Sequence, residues 1–363
     1  MVHQFKNNGY DIVLDVNSGA IHVVDDVTYD VIAMFEEHTP DEIVQQLKEQ
    51  YPEAEIKEAI DEVLELKKNE ELFTEDVYKS HILDFKKRPT VVKALCLHIA
   101  HDCNLACKYC FAEEGEYHGR RALMSYETGK QALDFLIANS GSRKNLEVDF
   151  FGGEPLMNFD VVKQLVAYGR EQEKLHDKHF RFTLTTNGVL LNDEVMEFAN
   201  KEMDNVVLSI DGRKEVHDRM RPFRKGAGSY DLIVPKFQQF AESRHQDKYY
   251  VRGTFTHYNL DFSEDVLHLA DLGFKQISVE PVVAEPKEPY AIREEDLPKL
   301  FEEYDKLAVE MIRRHKSGED FNFFHFMIDL EGGPCVAKRL SGCGSGTEYL
   351  AVTPWGDFYP CHQ

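Results

Sequence analysis

Positive charge is what this chain is short of. Its 363 residues carry 42 Lys and Arg against 65 Asp and Glu, a formal net charge of −23. Nucleic-acid phosphates must be neutralised by Lys and Arg, so no nucleic-acid partner is expected. No apolar run approaches a membrane span, and the start, Met1-Val2-His3-Gln4-Phe5-Lys6, lacks a basic-then-apolar signal pattern. The expected setting is cytoplasmic, with no membrane partner. A disulfide framework is also missing: six of the seven cysteines fall in two groups, which suits metal ligation in a reducing compartment. The length favours two or three domains, and an acidic surface tolerates basic or neutral polypeptide partners.

What is present begins with Cys103-Asn104-Leu105-Ala106-Cys107-Lys108-Tyr109-Cys110, three cysteines spaced C-x3-C-x2-C. Leu95-Cys96-Leu97-His98-Ile99 before them reads as a buried strand, which sets the cysteines on a loop at its end. Three thiolates on a short loop can hold three corners of an iron–sulfur cube, leaving the fourth iron open to an outside ligand. Structural zinc and unrelated buried thiols are the alternatives, although zinc ordinarily takes four ligands in two pairs. Cys96, inside the strand, reads as a packed thiol.

Upstream, Ile12–Val16 and Ala20–Val24 flank Asn17-Ser18-Gly19 as a β-hairpin. Helices are expected over about 26–37, from the capping box Thr39-Pro40-Asp41-Glu42, and over about 56–68, with Leu72-Phe73 returning as a wing strand. Hairpin plus three helices is a winged helix-turn-helix plan, a common DNA reader. Charge decides against DNA, because residues 1–85 hold 21 Asp and Glu and only 6 Lys and Arg. A peptide adding to the hairpin edge fits without that conflict. Residues 1–80 resemble the PqqD-like element that grips leader peptides of ribosomally made natural products; a purely structural cap is the alternative. Ser80 to Pro89, ending Lys86-Lys87-Arg88-Pro89, reads as a linker.

From residue 90 to 315, strands (94–99, 146–151, 180–185, 206–210, 250–255, 277–280) alternate with helices (near 125–138, 159–175, 193–201, 230–243, 263–272). That alternation predicts an α/β fold, a partial (β/α)6 TIM-like barrel with function on loops at the strands' carboxyl ends. An exposed amphipathic helix is expected over 294–316. Phe151-Gly152-Gly153-Glu154-Pro155 follows the second strand; its glycines let backbone approach a ligand and Glu154 offers an acceptor for an ammonium group. Together with the C-x3-C-x2-C loop, this turn resembles the radical S-adenosylmethionine (SAM) superfamily. The resemblance implies a [4Fe-4S] cluster on Cys103, Cys107 and Cys110 with an open iron that binds SAM. It further implies that Gly152, Gly153, Glu154 and Pro155 hold the methionyl amine, that Tyr109 lies near the adenine, and that reductive cleavage yields a 5′-deoxyadenosyl radical. Asn187, in Thr185-Thr186-Asn187-Gly188, and Ser209, in Leu208-Ser209-Ile210-Asp211-Gly212, resemble ribose- and methionyl-contacting segments, though each could be ordinary turn chemistry. The run His217-Asp218-Arg219-Met220-Arg221 is expected either to bind substrate or to be solvated surface, and Glu280-Pro281 to line the pocket.

Near the end, Cys343 to Cys361 reads C-x12-G-x4-C around a small hairpin, 349–352 with 357–359. It resembles the first half of a SPASM domain (330–363), which implies Cys343 and Cys361 as ligands of an auxiliary [4Fe-4S] cluster; Cys335 has no motif-fixed spacing, and a zinc hairpin is the alternative. The expectation is a fragment whose full-length form carries one or two auxiliary clusters. The whole plan resembles the SCIFF-peptide maturases, on Asp15-Val16-Asn17-Ser18-Gly19, Gly344-Ser345-Gly346 and Tyr359-Pro360-Cys361-His362-Gln363. That implies a thioether joining a Cys sulfur to a carbon of another residue, Thr in that family, within a cysteine-rich precursor peptide. An external one-electron reductant, flavodoxin or ferredoxin-like, is implied as well. The alternatives are a sulfatase-maturing, formylglycine-forming enzyme of the same superfamily and a non-catalytic iron–sulfur peptide-binding or electron-transfer protein. The Gly152–Pro155 turn weighs against the last.

Overall fold

Short alternating runs at Val2–Asn7 (β1), Tyr10–Asp15 (β2) and Ile21–Val24 (β3) pair into an antiparallel sheet of order β1-β2-β3. The computed structural model describes residues 1–81, 90–113, 115–117, 119–330, 333 and 342–362. The chain divides into one unit of residues 1–88 with 328–342 and a second of 89–327 with 343–363. Most of the 80–89 linker, and Cys335, lie outside the described residues.

In the first unit the helices Asp26–Met34 (α1), Pro40–Leu47 (α2) and Glu53–Lys68 (α3) follow the sheet. Thr39 and Glu42 form the expected reciprocal cap, satisfying donors that a helix start leaves unpaired. Val13, Val31, Ile43, Ile56, Val63 and Leu72 are fully buried and make a core separate from that of the second unit. The third strand corrects the sequence reading. It comes from β1 ahead of the hairpin, and Leu72-Phe73 is an irregular turn with Phe73 at φ +53°. The cause is buried Asp15, which accepts bonds from the Thr74 N–H (2.9 Å) and hydroxyl (2.6 Å) and so pins this segment across the hairpin turn instead of along an edge.

The second unit is built on parallel strands; the first, Ala94–His101, is buried along its whole length, while the others alternate an apolar face with a more polar one. Ala94–His101 (β4), Asn145–Gly152 (β6), His179–Thr186 (β7), Asn205–Ser209 (β8), Tyr249–Phe255 (β9) and Gln276–Pro281 (β10) match the six expected strands within two residues at each end. Leu95, Leu97 and Ile99 of β4, Leu146, Val148 and Phe150 of β6, and Phe180, Phe182 and Leu184 of β7 belong to one buried core. Side chains alternate across a sheet, so Cys96, His98, Asp149, Thr183 and Ser209 share the opposite, inner face. Helices Tyr126–Asn139, Phe159–His176, Asp193–Glu202, Tyr230–Ser243, Phe262–Asp271 and Leu297–Ser317 fall where expected.

Short strands extend this sheet: two were not expected, and two form the hairpin expected over 349–352 and 357–359, here joined to β4. Ala122–Leu123 (β5) pairs antiparallel with the end of β4, and Asn322–Phe323 (β11) adds parallel to β10. Tyr349–Val352 (β12) lies parallel to β4, and Phe358–Tyr359 (β13) returns antiparallel to β12. The full order is β11-β10-β9-β8-β7-β6-β4-β12-β13. No helix among the described residues is long and apolar enough to cross a membrane.

Burial pushes the Asp15 carboxyl up, but the bonds from Thr74, Ser18 and Asn17 outweigh it and hold it below the usual carboxylate range. A depressed folded pKa contributes stability above the unfolded value of about 3.9, lost as pH falls through the folded one. Asp15→Asn is therefore expected to destabilise the first unit by about 1–3 kcal/mol at neutral pH. It should also flatten the acid-side loss of stability, as thermal melts of variant and parent at several pH values would show.

Candidate functional site

Three loops at strand carboxyl ends meet in the second unit: the cysteine loop after β4, the Gly-Gly-Glu-Pro turn after β6, and Asn187 after β7. The glycines have a close structural cause. Gly152 sits at φ +116°, where a Cβ would lie 2.4 Å from the Ala100 carbonyl oxygen, and a Cβ on Gly153 would lie 2.1 Å from that of Asp102. Backbone bonds from Gly153 N–H to Ala100 (2.7 Å) and from Glu154 N–H to Asp102 (2.9 Å) then lock the turn to the base of the cysteine loop. Pro155 opens the short 3-10 turn that leads onward.

Glu154 is fully buried. One carboxylate oxygen accepts from the Leu156 N–H (3.0 Å) and the Thr186 hydroxyl (2.8 Å), and the other from the Asn187 N–H (2.8 Å). Burial raises its carboxyl to about 7, with those three bonds pulling the other way. The Asn187 amide donates to Asn104 Oδ1 (2.7 Å) and stands 3.6 Å from Cys103 Sγ. Glu154, Asn187 and Cys103 are thus one connected set.

Cys103, Cys107 and Cys110 are free thiols, and burial pushes the first two up to about 12. A thiol this reluctant to ionise is a ligand only when a metal supplies the opposing charge. Among the described residues no three His, Cys, Asp or Glu side chains converge into a ready single-ion site. The donor set, three thiols spread along one loop with the buried Asn104 Nδ2 lacking a partner beside them, fits a multi-iron cluster.

Sequence reasoning missed what holds this loop. Tyr109 donates its hydroxyl to both oxygens of Asp211 (2.8 and 2.7 Å), which is fully buried and also accepts from Arg221 Nε (2.9 Å) and the Thr254 N–H (3.0 Å). The segment around Arg221 runs along the cysteine loop. Ala106 N–H donates to the Pro222 carbonyl and Lys108 N–H to that of Met220, both at 2.9 Å, while Arg224 donates to the Cys103 carbonyl (3.0 and 2.9 Å). His217 is buried on Ser229 (2.9 Å), and burial lowers it to about 4. Of the His217–Arg221 run, then, Arg219 is exposed, while His217 and Arg221 brace the loop. The run was visible in sequence; its role was not.

Other expected residues are placed as follows. Ser209 is half-buried at the end of β8, and Glu280 pairs with Arg252 across β9 and β10. Cys96 is buried, with its thiol pushed far up by burial. His98 and His101 were overlooked: their rings meet at 3.0 Å, and burial lowers them to about 3 and about 4. Cys343 is exposed and Cys361 half-buried. Ser345 Oγ and Gly346 N–H both donate to the Pro360 carbonyl (2.7 and 3.0 Å), which brings the two cysteine-bearing turns alongside each other.

Sequence comparison agrees with this geometry. The model of the radical SAM superfamily matches residues 97–234, covering the cysteine loop, the glycine turn and Arg221. A protein of Methanocaldococcus jannaschii, MJ0907, is 30% identical over 272 residues, 74% of this chain and 85% of its own length. The chain belongs to the radical SAM superfamily. Membership implies a [4Fe-4S] cluster and SAM. Among further relatives, the radical SAM cyclopropyl synthase TigE of Paramaledivibacter caminithermalis is 24% identical over 47% of this chain and 38% of its own. The cysteine-type anaerobic sulfatase-maturating enzyme of Clostridium novyi is 28% identical over 37% of this chain and 36% of its own. The fold is similar to anSMEcpe with bound AdoMet (TM-score 0.63, 19% identity, 74% of each chain). It is also similar to Streptococcus suis SuiB bound to precursor peptide SuiA (TM-score 0.55, 16% identity, 99% of this chain and 82% of that one).

Gly153→Ala is expected to force the turn off the Asp102 carbonyl, an overpacking cost of about 1–3 kcal/mol or more. Faster alkylation of Cys103 and Cys107 in the metal-free protein, with a lowered melting temperature, would register the loosened loop.

Proposed function

We propose that this radical SAM protein is a maturase of a ribosomally made, cysteine-rich precursor peptide, forming a thioether between a Cys sulfur and a carbon of another residue, Thr by resemblance to the SCIFF-peptide maturases. The observation that carries the reading is the joined set Glu154–Asn187–Cys103, which sets an acceptor for an amine beside three free thiols. In this reading Cys103, Cys107 and Cys110 hold the [4Fe-4S] cluster whose open iron takes SAM. The Gly152–Pro155 turn takes the methionyl amine: a carboxylate has about four lone-pair sites, and Glu154 uses three within the protein. When bound, the pair supplies reductive SAM cleavage and hydrogen abstraction from carbon. Asn187 and Ser209 orient SAM from the ends of β7 and β8, and Tyr109 lies beside the adenine while its hydroxyl stays on Asp211. Cys343 and Cys361 contribute to an auxiliary cluster. Electrons come from a flavodoxin or ferredoxin-like donor.

Residues 1–80 serve as the PqqD-like leader site. Of the two outer strands, β1 is blunted by Lys6, ion-paired to Asp11 and Asp26. By contrast β3 shows exposed Ile21 and Val23, an apolar edge suited to an added strand. SuiB, whose fold spans nearly the whole of this chain, binds a precursor peptide, which supports a peptide substrate. The sulfatase-maturating relatives keep formylglycine formation as the second reading, although it gives residues 1–80 no task.

Anaerobic reduced enzyme, SAM and precursor should yield product about two mass units lighter, with its bridged cysteine closed to alkylation; thiols that all remain alkylatable would sink the thioether reading. Replacing Cys103, Cys107 and Cys110 by Ala should abolish 5′-deoxyadenosine. Deleting residues 1–80 should weaken precursor binding about tenfold or more, ~1.4 kcal/mol, while slow SAM cleavage persists.

A further inference from the structure

We infer that Arg221 sets the reduction potential of the cluster on Cys103, Cys107 and Cys110, with Asp211 as its buried counterweight; the inference rests on the cluster assignment above. The Arg221 side chain is 13% exposed and Asp211 wholly buried. The guanidinium bonds Asp211 through Nε at 2.9 Å and lies 5.4 Å from the Tyr109 ring centre, and its charge acts on the Cys107 thiol two residues before Tyr109, favouring the thiolate. The backbone at Met220 and Pro222 is bonded to Lys108 and Ala106, which flank Cys107 on either side, so neither group can drift from the other.

The physical argument concerns charge. Reduction adds one negative charge to an iron–sulfur cluster, and its potential is set by net charge, hydrogen bonds to the sulfurs and solvent exposure. A guanidinium does not lose its proton in a protein, so Arg221 is a permanent positive charge against a ligand sulfur in a water-poor site. It favours the reduced cluster and raises the potential. Asp211 places the opposite charge in the same pocket and lowers it. At the neighbouring ligand, the donors to Cys103 Sγ among the described residues are neutral, the Leu105 N–H at 3.5 Å and the Asn187 amide at 3.6 Å. Arg221 is therefore a positioning and tuning residue, acting on the cluster through Cys107.

A brace and a tuning charge make different predictions. The test is a redox titration of the anaerobically reconstituted full chain followed by electron paramagnetic resonance, taking as the open-iron cluster the signal that SAM perturbs. Arg221→Gln should lower the midpoint enough to cut the reduced-to-oxidised ratio at fixed potential about tenfold, ~59 mV for one electron. Asp211→Asn should move it the other way, and Arg221→Lys should stay near the parent. Shifts of the same sign, or none in variants with full iron content, overturn the inference. If Arg221→Gln fails to take up iron, an upward shift in Asp211→Asn with a parent-like Arg221→Lys still supports it; loss of the cluster in all three overturns it in favour of a scaffold role. A parent chain without a SAM-sensitive cluster refutes the cluster assignment instead, so the two failures are told apart.

Discussion

A single buried carboxylate, Glu154, holds three separate strand ends in register. Its oxygens are bonded to the turn that follows β6 and to Thr186 and Asn187 at the end of β7, and Asn187 reaches on to Asn104 and Cys103 beyond β4. A carboxyl raised to about 7 by burial is a costly group to keep in an interior. The three internal donors offset part of that cost. The remaining acceptor capacity points where a cationic amine would complete the set. In the proposed function, structural brace and ligand contact are two uses of the same side chain.

Asp211 does the corresponding work on the outer side of the cysteine loop. It gathers Tyr109, Arg221 and the Thr254 amide, and the following segment lies along the loop through backbone bonds. The loop is therefore fixed on two flanks by two carboxylates that approach from different strands. Leu105 and Ala112 are buried beside the thiols. Polar bonds from the scaffold add to the order of the loop.

Much of the barrel was legible because its strands are short apolar or alternating runs and its helices keep a clear 3.6-residue stripe. Thr39–Glu42 was legible for a local reason: a capping box is a four-residue pattern. The failures are non-local. Val2–Asn7 mixes charge and amide with apolar residues and becomes a strand only because β2 lies beside it. Leu72-Phe73 has strand composition, but Asp15 bends it. In the site, the thiols and the glycine turn announced themselves by spacing. The Tyr109–Asp211 bond joins residues 102 positions apart. His98 and His101 are neighbours in sequence, but a regular strand would send them to opposite faces; the irregularity between His98 and Ala100 brings their rings together. No window of sequence displays the first pair, and strand alternation hides the second.

The strand β12 has a bearing on how this chain is made. Ala94 to Leu97 of β4 pair with Tyr349 to Val352, segments 255 positions apart. At a synthesis rate of about 5–20 residues per second, that flank of the barrel's first strand waits roughly 13–50 s for its neighbour to emerge. For that interval an apolar strand has an unpaired edge, the kind of surface on which chains add to one another. The C-terminal hairpin thus acts as a closing piece for the sheet. Conditions that slow the ribosome near residue 350 would be felt first as aggregation of the barrel.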